Sequence, residues 1–217
     1  MRFNVESLFI KISGITSEED ALFAIGLGAC AVGFDFGVTP RQISPQSVQE
    51  IVRRLPQGAL SVGSFRNEMP QRIVEISNTI GLSAVQLEGA MTSEQLNYVS
   101  CRVNTVLRLT SPESGLGAGG VDYFVVPDSD DAFALNASLE HFRASSARHP
   151  VIASGGLDAT NVIELVQNFP IFGVDARSGV ERSPGVKDPA LMGAFIANAK
   201  WAVENSLVER NFNEWQL

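Results

Sequence analysis

Eight short runs rich in Val, Ile and Phe recur along the chain and alternate with longer segments of helical period. The runs are Leu8–Ser13, Ala31–Phe36, Ala59–Phe65, Ala84–Glu88, Thr105–Leu109, Tyr123–Pro127, Val151–Ser154 and Phe172–Asp175. Strands joined through helices lie parallel, because the crossover returns the chain to the edge where it began. Eight such units predict an α/β fold, a (β/α)8 TIM barrel. A chain of 217 residues with 45% hydrophobic content can bury one large core, so a single domain over residues 1–217 is expected.

The helices announce their starts. Ser17 stands three residues before Asp20, Pro45 follows Ser44, and Asn67 precedes Glu68. Met69, Ile73, Ile76 and Ile80 then recur at helical spacing and predict a stripe packed on the sheet. Later helices are expected over Asp130–Arg148, Asp158–Asn168 and Pro189–Ser206. The fifth and sixth strands are joined instead by a glycine-rich stretch from Ser111 to Gly120, readable as a plain connector or as a loop over the site.

A formal charge of −8, with no run of Lys or Arg, argues against a nucleic acid or an anionic membrane as partner. No segment approaches the roughly 18 uninterrupted apolar residues of a membrane span, which predicts a cytoplasmic protein. Cys30 and Cys101 stand far apart in apolar contexts and read as two buried reduced thiols, with neither a disulfide nor a metal site expected. No cofactor is called for.

In such a barrel ligands sit at the C-terminal ends of the strands. Ser154-Gly155-Gly156-Leu157 ends the seventh run and Val174-Asp175-Ala176-Arg177-Ser178-Gly179-Val180-Glu181 ends the eighth. Small residues there let backbone N–H groups approach a phosphate. Two such loops on adjacent strands predict an anionic ligand held locally.

These loops, followed by Ser183-Pro184-Gly185-Val186-Lys187-Asp188, resemble the phosphate end of phosphoribosylanthranilate isomerases. The resemblance extends to Lys11-Ile12-Ser13-Gly14-Ile15-Thr16, Asp20-Ala21, Gly33-Phe34, Pro40-Arg41 and Val85-Gln86-Leu87, and covers roughly residues 8 to 200. It implies phosphate contacts at Gly155, Gly156, Ser178 and Gly179. It implies substrate contacts at Arg41, a guanidinium suited to a carboxylate, and at Arg108, which ends the fifth run where the family often has lysine. The implied activity is the aldose–ketose (Amadori) isomerisation of tryptophan biosynthesis, or that of a closely related phosphorylated aminosugar. A monomer or homodimer acting on a phosphorylated small molecule is the implied assembly.

Several positions depart from the family pattern. The family's base is a cysteine where this chain has Ser13, and a hydroxyl is hardly ionised near neutrality unless another group takes its proton. The family's acid, an aspartate ending the sixth strand, falls on Pro127, with Asp128 one position later as candidate acid or helix cap. The glycine-rich enclosing loop that normally follows that strand is missing, and Glu88 stands at a histidine position.

Asp35, inside the second run, and Glu88 are therefore candidate replacements for the acid or base. Equally, Lys11, Asp35, Glu88 and Arg108 can form an internal salt-bridge network that catalyses nothing. The alternative to an isomerase is thus a silent or repurposed barrel that binds a phosphorylated ligand without the Amadori step.

Overall fold

The computed structural model describes residues 7–109, 123–125 and 150–206. Eight parallel strands close in sequence order: β1 (Phe9–Ile12), β2 (Ala31–Asp35), β3 (Leu60–Arg66), β4 (Ala84–Glu88), β5 (Val106–Leu109), β6 (Tyr123–Val125), β7 (Val151–Ser154) and β8 (Gly173–Ala176). Closure comes from β1 pairing with β8, Phe9 opposite Gly173 and Lys11 opposite Asp175. A two-stranded ribbon of β9 (Glu181–Ser183) and β10 (Val186–Lys187) follows a short 3-10 turn at Ser178–Val180.

The outer layer contains α1 (Glu18–Gly26), α2 (Pro45–Val52), α3 (Pro70–Ile80), α4 (Ser93–Ser100), α5 (Val162–Asn168) and α6 (Pro189–Glu204). Ser17 caps α1 by accepting from the Asp20 N–H, and Ser44 caps α2 through the Ser47 N–H with Pro45 in the first turn. The helix expected from Asn67 begins later. Asn67 has a left-handed backbone (φ 51°), and α3 starts at Pro70 with Met69 as its N-cap residue. A residue before proline is pushed out of the helical region, so Met69 leaves the stripe and stays exposed, while Ile73, Ile76 and Ile80 are buried. Likewise Asp158 does not begin α5. Its carboxylate folds back on the N–H groups of Thr160 and Asn161, and the helix opens at Val162.

Strand alternation divides the barrel interior into levels. Phe9, Ala31, Val62, Ala84, Leu107, Val125 and Ile152, with Phe172, form an apolar floor to which strands β1 to β7 each give one residue. Two residues further along β1 stands Lys11, fully buried, with Gln86 and Asp175 at the matching level of β4 and β8. The other faces of the strands pack on the helices in a larger cluster including Ile10, Ile12, Val32, Phe34, Val85 and Phe195.

Both cysteines are free, but only Cys30 is shielded, where burial pushes its thiol pKa up. Cys101 is the exposed C-cap of α4, on solvent because it sits past the helix's last turn. Pro127, Asp128, the glycine-rich 111–120 stretch, the expected helix at 130–148 and the C-terminal segment 207–217 lie outside the described residues.

Candidate active site

The C-terminal mouth of the barrel is a cavity lined by Ser13, Gly14, Phe34, Asp35, Ser64, Arg66, Gln86, Glu88, Ser154, Asp175 and Arg177. Ser13 lies one residue past β1 yet continues its ladder, its N–H donating to the Ala176 carbonyl at 2.9 Å. Its hydroxyl therefore keeps the inward register set by Phe9 and Lys11. Gly33 on the neighbouring β2 makes this possible, since a β-carbon there would lie 2.7 Å from Ser13 Oγ.

Lys11 Nζ donates to Asp175 Oδ2 at 2.7 Å, to Ser13 Oγ at 2.6 Å and to Gln86 Oε1 at 3.0 Å. All three ammonium protons are thus used inside the barrel, which a buried cation requires. Ser13 Oγ donates to Asp175 Oδ1 at 2.7 Å. Gln86 passes the chain of contacts on, donating through Nε2 to Glu88 Oε1 at 3.2 Å.

The expected network of Lys11, Asp35, Glu88 and Arg108 is accordingly divided in three. Lys11 takes Asp175 as its counter-charge. Glu88 pairs with Arg66, which donates to Oε2 from Nε at 3.0 Å and from Nη2 at 2.7 Å. Asp35 accepts from the Gly37 N–H at 2.9 Å and from Thr39 Oγ1 at 2.8 Å, which braces its own loop. Asp35 and Glu88 both line the cavity, and they bond to these residues and to Gln86 rather than to Ser13. Arg108 is half-buried on β5.

Arg41 is held by a fork of three hydrogen bonds to Glu181, the shortest from Nη2 to Oε2 at 2.7 Å. Lys187, fully buried, donates to Glu181 Oε1 at 2.9 Å and to the Arg177 carbonyl at 3.0 Å. Burial lowers the Lys187 pKa. Burial alone would raise that of Glu181, but the hydrogen bonds from Arg41 and Lys187 outweigh it and hold the carboxyl below its ordinary 4.5. A carboxyl held down when folded stabilises the fold above its unfolded value and ceases to as pH falls through its folded one. Denaturant titrations between pH 6 and 3 should therefore show Glu181→Gln losing less stability on acidification than the wild type.

The four residues expected to contact a phosphate lie on the adjoining loops after β7 and β8. Gly155 and Gly156 turn the chain after β7 with φ of 100° and 55°, in the region that favours glycine. Gly179, in the 3-10 turn after β8, sits so close to the Leu157 carbonyl and Asp158 that a β-carbon has no room. Ser178 opens that turn and is exposed. Sequence reasoning missed the partners: Asp175 as counter-charge to Lys11, Arg66 for Glu88, and Glu181 with Lys187 behind Arg41. A lysine in an otherwise apolar strand was the available signal, because it demands a buried acceptor on an adjacent strand.

A family model described as N-(5'-phosphoribosyl)anthranilate (PRA) isomerase matches residues 10–198. The chain belongs to this family. Among PRA isomerases, that of Citrifermentans bemidjiense is 36% identical over 200 residues, spanning 88% of this chain and 96% of the relative. The crystal structure of the Thermotoga maritima PRA isomerase superposes with a TM-score of 0.79 at 32% identity, covering 89% of this chain and 99% of that one. A PRA isomerase solved with reduced 1-(o-carboxyphenylamino)-1-deoxyribulose 5-phosphate gives 0.73 at 31% identity, over 89% and 99% of the two chains.

Proposed function

We propose that this protein is a PRA isomerase: it opens N-(5'-phosphoribosyl)anthranilate and converts the aldose to the ketose by an Amadori rearrangement, a step of tryptophan biosynthesis. Family membership over nearly the whole described barrel supports this, and the observation that carries it is the polar mouth around Ser13, lined also by Ser154 and Arg177 where the two glycine loops begin. Gly155, Gly156, Ser178 and Gly179 bind the phosphate through backbone N–H groups. Arg41, preorganised by Glu181, and Arg108 meet the carboxylate of the anthranilate. Asp128 is the acid that protonates the ring oxygen. The protein acts in the cytoplasm as a monomer or homodimer and needs no cofactor.

A second reading, a barrel that binds the phosphorylated ligand without rearranging it, is favoured by one observation. Ser13 replaces the thiol, and the carboxylates of Asp35 and Glu88 are engaged by Thr39 and Arg66. Steady-state turnover of freshly generated phosphoribosylanthranilate, followed by loss of its fluorescence, separates the two. Turnover supports the isomerase; tight binding of the reduced product analogue without turnover supports the second reading. In the same assay Ser13→Cys is expected to raise kcat several-fold, because a thiol ionises far more readily than a hydroxyl. An unchanged or lower kcat removes Ser13 from the base position.

A further inference from the structure

A serine hydroxyl has one proton to donate and two lone pairs. Lysine is donor only, so the contact from Lys11 Nζ at 2.6 Å must use one of the lone pairs of Ser13. The hydroxyl proton is then committed to Asp175 Oδ1 at 2.7 Å. One lone pair remains, on an oxygen that lines the cavity. Asp175 is 3% exposed, and its Oδ2 accepts from Lys11 Nζ and, at 3.5 Å, from Ser154 Oγ.

We infer that Asp175 is the ultimate proton acceptor of the reaction and works through Ser13, with Lys11 as the fixed donor that holds both. This rests on the isomerase reading above. In the open-chain iminium form of the substrate, the C2–H bond breaks and its proton goes to the free lone pair of Ser13 Oγ. The hydroxyl's original proton passes at the same time to Asp175 Oδ1. The C2–H electron pair becomes the C1=C2 bond, and the C1=N pair settles on nitrogen, giving a neutral enaminol. Transfer in reverse, Asp175 to Ser13 to C1, together with loss of the O2 proton to water, completes the ketose and restores Asp175 as a carboxylate. Ser13 touches the substrate. Asp175 and Lys11 are positioning residues that act through it.

The hydroxyl thereby escapes its own weakness as a base, since a neighbouring group takes its proton in the same step. Lys11 does not fill that role: its three protons are all donated, one of them to a carboxylate, and it offers no lone pair. Asp35 and Glu88 are displaced from it by their bonds to Thr39 and Arg66.

The test compares Ser13→Ala, Asp175→Asn and their double variant for kcat on phosphoribosylanthranilate and for washout of a C2 deuterium label into water. Affinity for the reduced product analogue is measured alongside. Each single variant is expected to lose about 10²- to 10⁴-fold in kcat and washout, the range of one general acid–base group, with analogue affinity within threefold. The double variant is expected to be no slower than either single, because the two act as one unit. In a Ser13→Cys background, Asp175→Asn is expected to cost less than tenfold, a rescue that a purely structural role would not produce. Asp175→Asn turning over within tenfold of wild type, or losses that multiply, would overturn the relay. If Asp175→Asn does not fold, Lys11→Gln with Asp175→Asn removes both charges at once, and activity within tenfold of wild type overturns the relay equally. A wild type that binds the analogue but shows neither turnover nor washout refutes the isomerase reading itself, and the relay with it.

Discussion

Replacing Lys11 with methionine is expected to destabilise the barrel by about 3–5 kcal/mol, the range seen when one member of a buried ion pair is removed. Methionine fills much of the lysine's volume, so the loss arises from charge and not from a cavity. Asp175, 3% exposed, would lose its counter-charge and keep the hydroxyls of Ser13 and Ser154 as donors. Chemical denaturation measures the loss directly. Adding Asp175→Leu is expected to return most of the stability, because an apolar pair of similar volume replaces a buried ionic one with little penalty. Turnover should not return with it. A double variant as unstable as the single would mean that the uncompensated Asp175 is not the source of the loss.

Replacing Gly179 with alanine is the second large effect. The new methyl group would meet the Leu157 carbonyl and lie 2.8 Å from Asp158 Cβ, and the backbone of the adjoining loop cannot yield as a side-chain end would. The loops after β7 and β8 should therefore be forced apart, at roughly 1–3 kcal/mol for overpacking. Affinity for the reduced product analogue, read by calorimetry, is expected to fall at least tenfold, since the two loops would no longer present their N–H groups to one phosphate. Gly193→Ala is the control, because nothing lies within 4 Å of a β-carbon on that α6 glycine. It should leave affinity unchanged and stabilise the helix slightly. Equal affinity in both variants would show that the phosphate does not lie between these loops.

The barrel was legible because its signals are local. β4 occupies Ala84–Glu88 as expected, and α1 and α2 start where their serines place them. The exceptions have local causes that overrode periodicity, such as Pro70 moving the start of α3 and ejecting Met69 from its apolar stripe. The site was legible only in part. Strand position pointed to Asp35, and the family motifs to Ser13 and Glu88, but neither says which side chains meet across a closed sheet. Lys11 and Asp175 are 164 residues apart and become neighbours only when β1 pairs with β8. Asp35 was lost to its own loop for a related reason: an aspartate followed by glycine and threonine finds partners two and four residues on before it finds any across the barrel.

Four residues of β1 and the serine after them link the two ends of the barrel. Phe9 belongs to the floor, Lys11 to the charged level above it and Ser13 to the mouth, all on one face of one extended stretch. Inserting or deleting a single residue between Phe9 and Ser13 would turn part of this set outward at a stroke, against helices that accept only Ile10 and Ile12. The length of this segment is therefore under tighter constraint than its composition. A hydroxyl can replace a thiol at position 13 without disturbing the floor, whereas a shift in register would detach the chemistry from the core that supports it.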